Sequence, residues 1–146
     1  MNVVAVIPAY NAAQTVGGVA CECQKFVKNI VIINDGSKDE TAAVAMRCGA
    51  EVVSHPQNRG KGAALKTGFA WALERGFDAV ITLDADGQHL PREIPKFIEA
   101  RERTNADLII GGRSHVFDEM LPRRRMANRF SAWSISKAAG TKVTDS

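Results

Sequence analysis

Asp78-Ala-Val-Ile-Thr-Leu-Asp84-Ala-Asp86-Gly-Gln88-His89 decides how the chain is read. Ala79 to Leu83 is a short apolar run with β-branched residues, which predicts a buried strand. The run stops at two carboxylates, a glycine and two further polar side chains. Residues two apart in extended backbone point the same way, about 7 Å apart along the strand. Asp84 and Asp86 can therefore serve one site. Carboxylate oxygens are hard ligands suited to Mg²⁺ or Mn²⁺, ions commonly shared with substrate phosphates. Gly87 permits the sharp turn that brings Gln88 and His89 to the same place. A solvated turn after a strand is the plain alternative, and the surrounding segments decide between them.

Working outward, the same grammar repeats. Val3 to Ile7 is an apolar run closed by Pro8, followed by the loop Pro8-Ala-Tyr10-Asn11. A helix is expected over 12–27, weakened by Gly17 and Gly18. Asn29 to Ile33 is a second strand, ending in Asn34-Asp35-Gly36-Ser37. Ser37 and Glu40 have capping-box spacing for a helix over 38–48, stopped by Gly49. Ala50 to Ser54 is a third strand, 55–62 a loop, and 63–75 a helix ended by Gly76. The fourth strand is Phe77 to Leu83. Pro91 suits the first turn of a helix running to Arg103. A fifth strand, Ala106 to Ile110, ends in Gly111-Gly112-Arg113, and a basic helical pattern follows.

Strands alternating with helices, without hairpin signals, predict an α/β fold with a mostly parallel twisted sheet covered on both faces. Ligands of such sheets bind beyond the carboxyl ends of the strands. Four of those ends are polar here, and they converge on one rim. With 146 residues, 45% hydrophobic and 24% charged, the expectation is a single soluble domain over 1–146. A net charge of +3 and 6% aromatic residues give no nucleic-acid surface. Cys21, Cys23 and Cys48 are odd in number and lack zinc spacing, so they read as reduced thiols of a cytoplasmic protein. No leader or bilayer-spanning run is recognised.

Five motifs then occur in order: Val6-Ile7-Pro8-Ala9-Tyr10-Asn11, Asn34-Asp35-Gly36-Ser37-Lys38-Asp39, Asn58-Arg59-Gly60-Lys61-Gly62, Leu83-Asp84-Ala85-Asp86-Gly87-Gln88-His89 and Gly112-Arg113. Together they resemble the family 2 inverting glycosyltransferases of the GT-A fold, in the polyprenol-phosphate, dolichol-phosphate mannose synthase-like branch. The resemblance implies a nucleotide-diphosphate sugar donor, UDP- or GDP-linked, and a polyprenyl phosphate acceptor. It assigns Pro8 and Tyr10 to the walls of the base and ribose, Asp35 to a hydrogen bond from the base, and Arg113 to the phosphates. Asn11, Lys61 and Ala85 lie in the nucleotide-binding motifs. Asp84 and Asp86 take the metal and catalytic role, with Gln88 as a helper ligand. An ionised Asp is acceptor-only, which suits ring N–H donors. A divalent ion stabilises a departing diphosphate without a proton donor.

The chain departs from the pattern at Ala12, where relatives often have Glu, and at Asn34, where they often have Asp. It also stops at Val143-Thr144-Asp145-Ser146, short of the segments that form the acceptor side in relatives. The expectation is a donor-binding portion of a longer enzyme or a shortened relative. A catalytically incomplete nucleotide-sugar-binding module, working with a partner chain, is the competing function.

A phosphate monoester is largely ionised near neutral pH, its second pKa being about 6, so a polyprenyl phosphate needs no general base to attack. It needs positive charge to hold it. Arg123, Arg124, Arg125 and Arg129, with Phe130 and Trp133, form either a surface at the cytoplasmic face of a membrane or a solvated basic helix over a core. The 58–62 loop reads as a turn and cap or as a phosphate contact at a helix start; it lacks the P-loop pattern. His89 reads as a solvated residue or one behind the metal. His55 and His115 read as surface residues, Asp78 and Asp107 as turn residues, and Trp71 as core. A dinucleotide-dependent dehydrogenase would need Gly-x-Gly-x-x-Gly after the first strand, and Pro8-Ala-Tyr10-Asn11-Ala12 cannot provide it. A nucleotidyltransferase fails for the same lack of glycine.

Overall fold

The apolar run after Asn2 becomes the middle of a sheet. The computed structural model describes residues 1–111. Met1–Asn105 forms one compact unit; Ala106–Ser146 forms a second, of which 106–111 is described. In the first unit β1 (Val3–Ala9), β2 (Asn29–Asn34), β3 (Glu51–Ser54) and β4 (Ala79–Thr82) form a four-stranded sheet of order β3-β2-β1-β4. Each neighbouring pair is parallel. Between them run α1 (Val16–Cys23), α2 (Thr41–Arg47) and α3 (Lys61–Glu74), and a 3₁₀ turn (Pro91–Glu93) leads into α4 (Ile94–Thr104).

Alternation along β1 and β2 feeds two cores. Ala5, Ile7 and Ala9 join Ile30 and Ile32 under α1, α2 and Ile94 of α4. Val4 and Val6 join Val31 and Ile33 under α3. Ile7, Ile32 and Ile33 are fully buried, worth about 1.5–3 kcal/mol each on transfer grounds. The sheet is thus covered on both faces, as expected. Each helix shows the matching stripe: Val16, Val19, Ala20 and Cys23 in α1, and Ala64, Gly68, Trp71 and Ala72 in α3. Trp71 is core, stacked on Phe77 at 5.7 Å between centroids.

Several expectations change. β1 runs through Pro8 to Ala9 rather than stopping before the proline. The last β1–β4 pair is Val6 with Thr82. Val6 C=O accepts from Leu83 N–H on the β4 side, and Ala9 C=O accepts from Asp35 N–H on the β2 side. Pro8 shares Val6's side, past the end of β4, so its missing N–H breaks no ladder bond. Among the described residues β4 is an edge of this sheet, with Ala79 to Ile81 half-buried. The 106–110 run forms no strand; Leu108 is 76% and Ile110 72% exposed.

The capping box does not form either. α2 starts at Thr41, with no side-chain cap from Glu40. Ser37 Oγ instead accepts the Asn11 N–H at 2.9 Å. Thr41 Oγ1 accepts the Ala12 N–H at 2.8 Å and donates to Asp39, whose other oxygen accepts the Ala13 N–H at 3.1 Å. The N–H groups of 11–13 are held by these side chains, and α1 becomes regular at Val16. The basic pattern beyond Gly111 lies outside the described residues. Among the described residues no helix is long and apolar enough to cross a membrane.

Gly68 sets how closely α3 approaches the sheet. A Cβ there would lie 2.3 Å from Val6 Cγ1 and 3.3 Å from Ile33 Cγ1. Both neighbours are fully buried and cannot yield. Alanine gains about 1 kcal/mol of helix propensity over glycine, but overpacking a full core costs about 1–3 kcal/mol. Gly68→Ala should therefore lower the urea midpoint, whereas Gly62→Ala, with nothing within 4 Å, should not.

Candidate functional site

The carboxyl rim is assembled around Asp35, the first residue after β2. Its side chain is 3% exposed. Oδ1 accepts from His55 Nδ1 at 2.6 Å and from Arg59 N–H at 2.9 Å; Oδ2 accepts from Gly60 N–H at 2.8 Å. An ionised carboxylate only accepts, so the His55 proton lies on Nδ1. Nε2 of the same ring faces Thr67 Oγ1 of α3 at 2.9 Å. Burial alone would raise the Asp35 carboxyl, but the His55 and two backbone hydrogen bonds outweigh it and hold it below the usual carboxylate range.

Asp35 is turned inward and its oxygens hold the 55–60 loop. One expectation is corrected here. His55 is not a surface residue; at 8% exposure it is the inner partner of that carboxylate. The signal for His55 was available, since it follows β3 and parallel strand ends share one rim. Glycines complete the arrangement. Gly36 has φ +69°, and a Cβ on it would lie 2.3 Å from the Gln57 carbonyl carbon, so the β2 turn and the loop touch backbone to backbone. Gly60 has φ +90° where α3 begins.

Lys61 follows Gly60 directly. Its Nζ lies 2.6 Å from Asp84 Oδ1, with the lysine 60% and the aspartate 27% exposed. A pair so open contributes about 0–1 kcal/mol to stability. Its importance is positional: Asp35 holds Gly60, and the next residue meets Asp84, so the β2 and β4 ends share one rim.

The Asp84 turn keeps strand-like alternation beyond β4. Leu83 and Ala85 are buried, while Asp84 is half-buried and Asp86 exposed on the outward side. Ala85 is thus a core methyl, leaving only its backbone for a nucleotide. Gly87 takes φ +79°, as its position in the turn demands. Asp86 Oδ1 accepts the Gln88 N–H at 2.9 Å, and His89 Nδ1 accepts the Asp84 N–H at 3.0 Å, closing the loop. Gln88 itself is exposed. Tyr10 stands at the end of β1, 47% exposed. Asn11, at φ +48°, accepts the Lys38 N–H through Oδ1 at 2.9 Å, tying the β1 end to the β2 turn. Arg113 lies outside the described residues.

Among the described residues no three His, Cys, Asp or Glu side chains gather as a metal cluster. The Lys61 ammonium drawn onto Asp84 shows that this edge attracts positive charge. Two outward carboxylates on one short turn fit an ion that completes its shell with water and phosphate oxygens.

A model described as glycosyl transferase family 2 matches residues 4–144. The chain belongs to glycosyl transferase family 2. Among family relatives, the undecaprenyl-phosphate mannosyltransferase of Micrococcus luteus is 36% identical over 77% of this chain and 49% of its own length. The UDP-N-acetylglucosamine–dolichyl-phosphate N-acetylglucosaminyltransferase of Methanococcus voltae is 30% identical over 97% of this chain and 64% of its own. The chain thus spans only part of these curated relatives. Among solved structures, glucosyl-3-phosphoglycerate synthase of Mycobacterium tuberculosis, in complex with Mn²⁺, UDP and glucosyl-3-phosphoglycerate, matches with a TM-score of 0.58 at 26% identity. That match covers 70% of this chain and 40% of that one. The parallel sheet with helices on both faces is the GT-A arrangement.

A depressed carboxyl has a defined consequence for this family member. As pH falls, the unfolded Asp35, with a pKa of about 3.9, binds its proton first. Its contribution to stability is complete above that value and is lost as pH falls through the lower folded value. Asp39 shifts the same way, chiefly through its Thr41 hydrogen bond. Asp35→Asn should therefore flatten, without abolishing, the fall in urea midpoint below about pH 4. Removing one partner of a buried pair should also cost about 3–5 kcal/mol at pH 7.

Proposed function

We propose that this chain binds a nucleotide-diphosphate sugar, UDP- or GDP-linked, and transfers the sugar with inversion to a polyprenyl phosphate. The reading rests on one observation above all. Asp84, with Asp86 two residues on, stands at a parallel-sheet rim opposite Lys61, whose neighbour Gly60 is fixed by Asp35. Hard oxygen donors beside an exposed ammonium support a site for a nucleotide diphosphate and its ion. In the transfer, an acceptor phosphate oxygen bonds to the anomeric carbon from the face opposite the nucleotide. The bond to the donor diphosphate breaks, and the departing oxygen keeps the electron pair.

Asp84 and Asp86, with Gln88 as helper, would hold Mg²⁺ or Mn²⁺, which when bound offsets the charge gathering on the diphosphate. Lys61 is an exposed ammonium on a flexible stem, so exchanging Asp84 for a phosphate oxygen costs it little. Tyr10 offers an exposed ring at the end of β1 for the base and ribose, beside Pro8. The acceptor class follows the relatives named for undecaprenyl and dolichyl phosphates. On this reading the protein works in the cytoplasm, at the membrane face where such an acceptor would meet the donor.

Calorimetric titration with UDP and with GDP, each with and without Mn²⁺, tests the donor site. One nucleotide should bind in a metal-dependent way, and Asp84→Asn and Asp86→Asn should each remove that dependence. Product formation from the matching sugar nucleotides and a polyprenyl phosphate then tests transfer. Binding without product would make the chain a donor-binding module; no metal-dependent binding of either nucleotide overturns the proposal.

A further inference from the structure

The donor-site reading leaves one buried histidine without a task. We infer that His55, supported by Thr67, is a positioning residue for Lys61, acting through Asp35 on the backbone at Arg59 and Gly60. The inference rests on the donor-binding reading for its functional consequence, but its geometry stands by itself.

The links are consecutive. Thr67 Oγ1 lies 2.9 Å from His55 Nε2, one and a half turns into α3 from Lys61. His55 Nδ1 lies 2.6 Å from Asp35 Oδ1. The same oxygen accepts the Arg59 N–H at 2.9 Å, and Oδ2 accepts the Gly60 N–H at 2.8 Å. Lys61 comes next and reaches Asp84 at 2.6 Å. His55 sits just after β3, and its own N–H is fixed by Asn34 C=O at 2.9 Å, so the ring is anchored to the sheet. One imidazole therefore holds both ends of the route: the carboxylate that fixes the loop, and the helix that the loop opens.

This geometry has a feature that stability alone does not require. Gly60 carries φ +90° and has nothing within 4 Å of where a Cβ would stand. No neighbour crowds it there, and hydrogen bonds supply the restraint. Its N–H donates to Asp35 Oδ2 and, at 3.0 Å within the same short loop, to Asn58 Oδ1, while its C=O accepts the Ala63 and Ala64 N–H groups that open α3. Among the described residues Asp35 is the partner that ties its N–H to the end of β2. Losing the His55 proton donor would leave a buried carboxylate under-bonded, free to turn toward water and release Gly60. Lys61 would then lose its fixed starting point, though the side chain and its charge remain.

A double-mutant cycle on Mn²⁺-dependent UDP or GDP binding tests this. His55→Leu should weaken binding about tenfold, the lower end for residues that orient a binding group from behind. His55→Asn, which keeps an N–H donor toward Asp35, should recover most of that loss. In a Lys61→Met background, His55→Leu should change binding by less than about twofold, because the residue it positions is gone. Equal weakening in both backgrounds overturns the inference, since a general packing defect would simply add.

Amide hydrogen exchange over 57–62 gives a readout that needs no nucleotide. Exchange at Arg59 and Gly60 should speed up in His55→Leu and return toward the parent rate in His55→Asn. Unchanged protection in His55→Leu overturns the inference even if neither nucleotide binds, an outcome that by itself defeats only the donor-site reading. Should His55→Leu fail to fold, Thr67→Val removes only the outer hydrogen bond, and the same cycle and exchange measurements are read on it.

Discussion

The buried carboxylate of Asp35 is the constraint on which the rim depends. A charge taken out of water is costly unless its lone pairs are used. Here three donors use them, from the two ends of the loop between β3 and α3: a side chain just after β3 and two backbone amides ahead of α3. Meeting that electrostatic demand closes the 55–60 loop against the β2 turn. Gly36 allows the approach, since any side chain there would strike the Gln57 backbone. The loop then delivers Lys61 to Asp84. A stability requirement at one residue thus becomes a placement one residue beyond its last hydrogen bond.

A second polar cluster does similar work on the other side of the β2 turn. Thr41, fully buried, passes a hydrogen bond from the Ala12 N–H to Asp39, and Ser37 takes the Asn11 N–H. The chain leaving β1 is therefore bound to the chain leaving β2 before α1 begins. Gly17 lets α1 approach α2 closely, since a Cβ there would lie 2.9 Å from Val44 Cγ1. Cys23, which burial pushes up to about 11, is an inert part of the same core, while Cys21 faces out.

The alternation of strands and helices was legible in the sequence because apolar periodicity reports burial directly. Four of the expected strands formed, and Trp71 lies in the core as its stripe implied. Polar residues were harder to read. Ser37 and Glu40 had capping spacing, yet Ser37 was taken by a backbone amide 26 residues away in sequence. The family resemblance gave Asp35 a role toward a base; its burial depends on a loop 20 to 25 residues further on, which no local pattern encodes. His55 was passed over because it stood outside every motif, although the convergence of parallel strand ends already placed it beside Asp35. The 106–110 run shows the limit of periodicity, which detects apolar character and not strand formation itself. Asp84 and Lys61 were each singled out, but their contact became visible only in three dimensions.

The alternation that continues past β4 has one more consequence. Leu83 and Ala85 face the interior and Asp84 and Asp86 face away from it. Sliding the segment by a single position would reverse both pairs, driving two charges inward while exposing two hydrocarbon groups. Such a slip is opposed by hydrophobic and ionic terms together. The acidic edge is therefore proofread by the core behind it, and small apolar residues that never meet a substrate help decide which way its charges look.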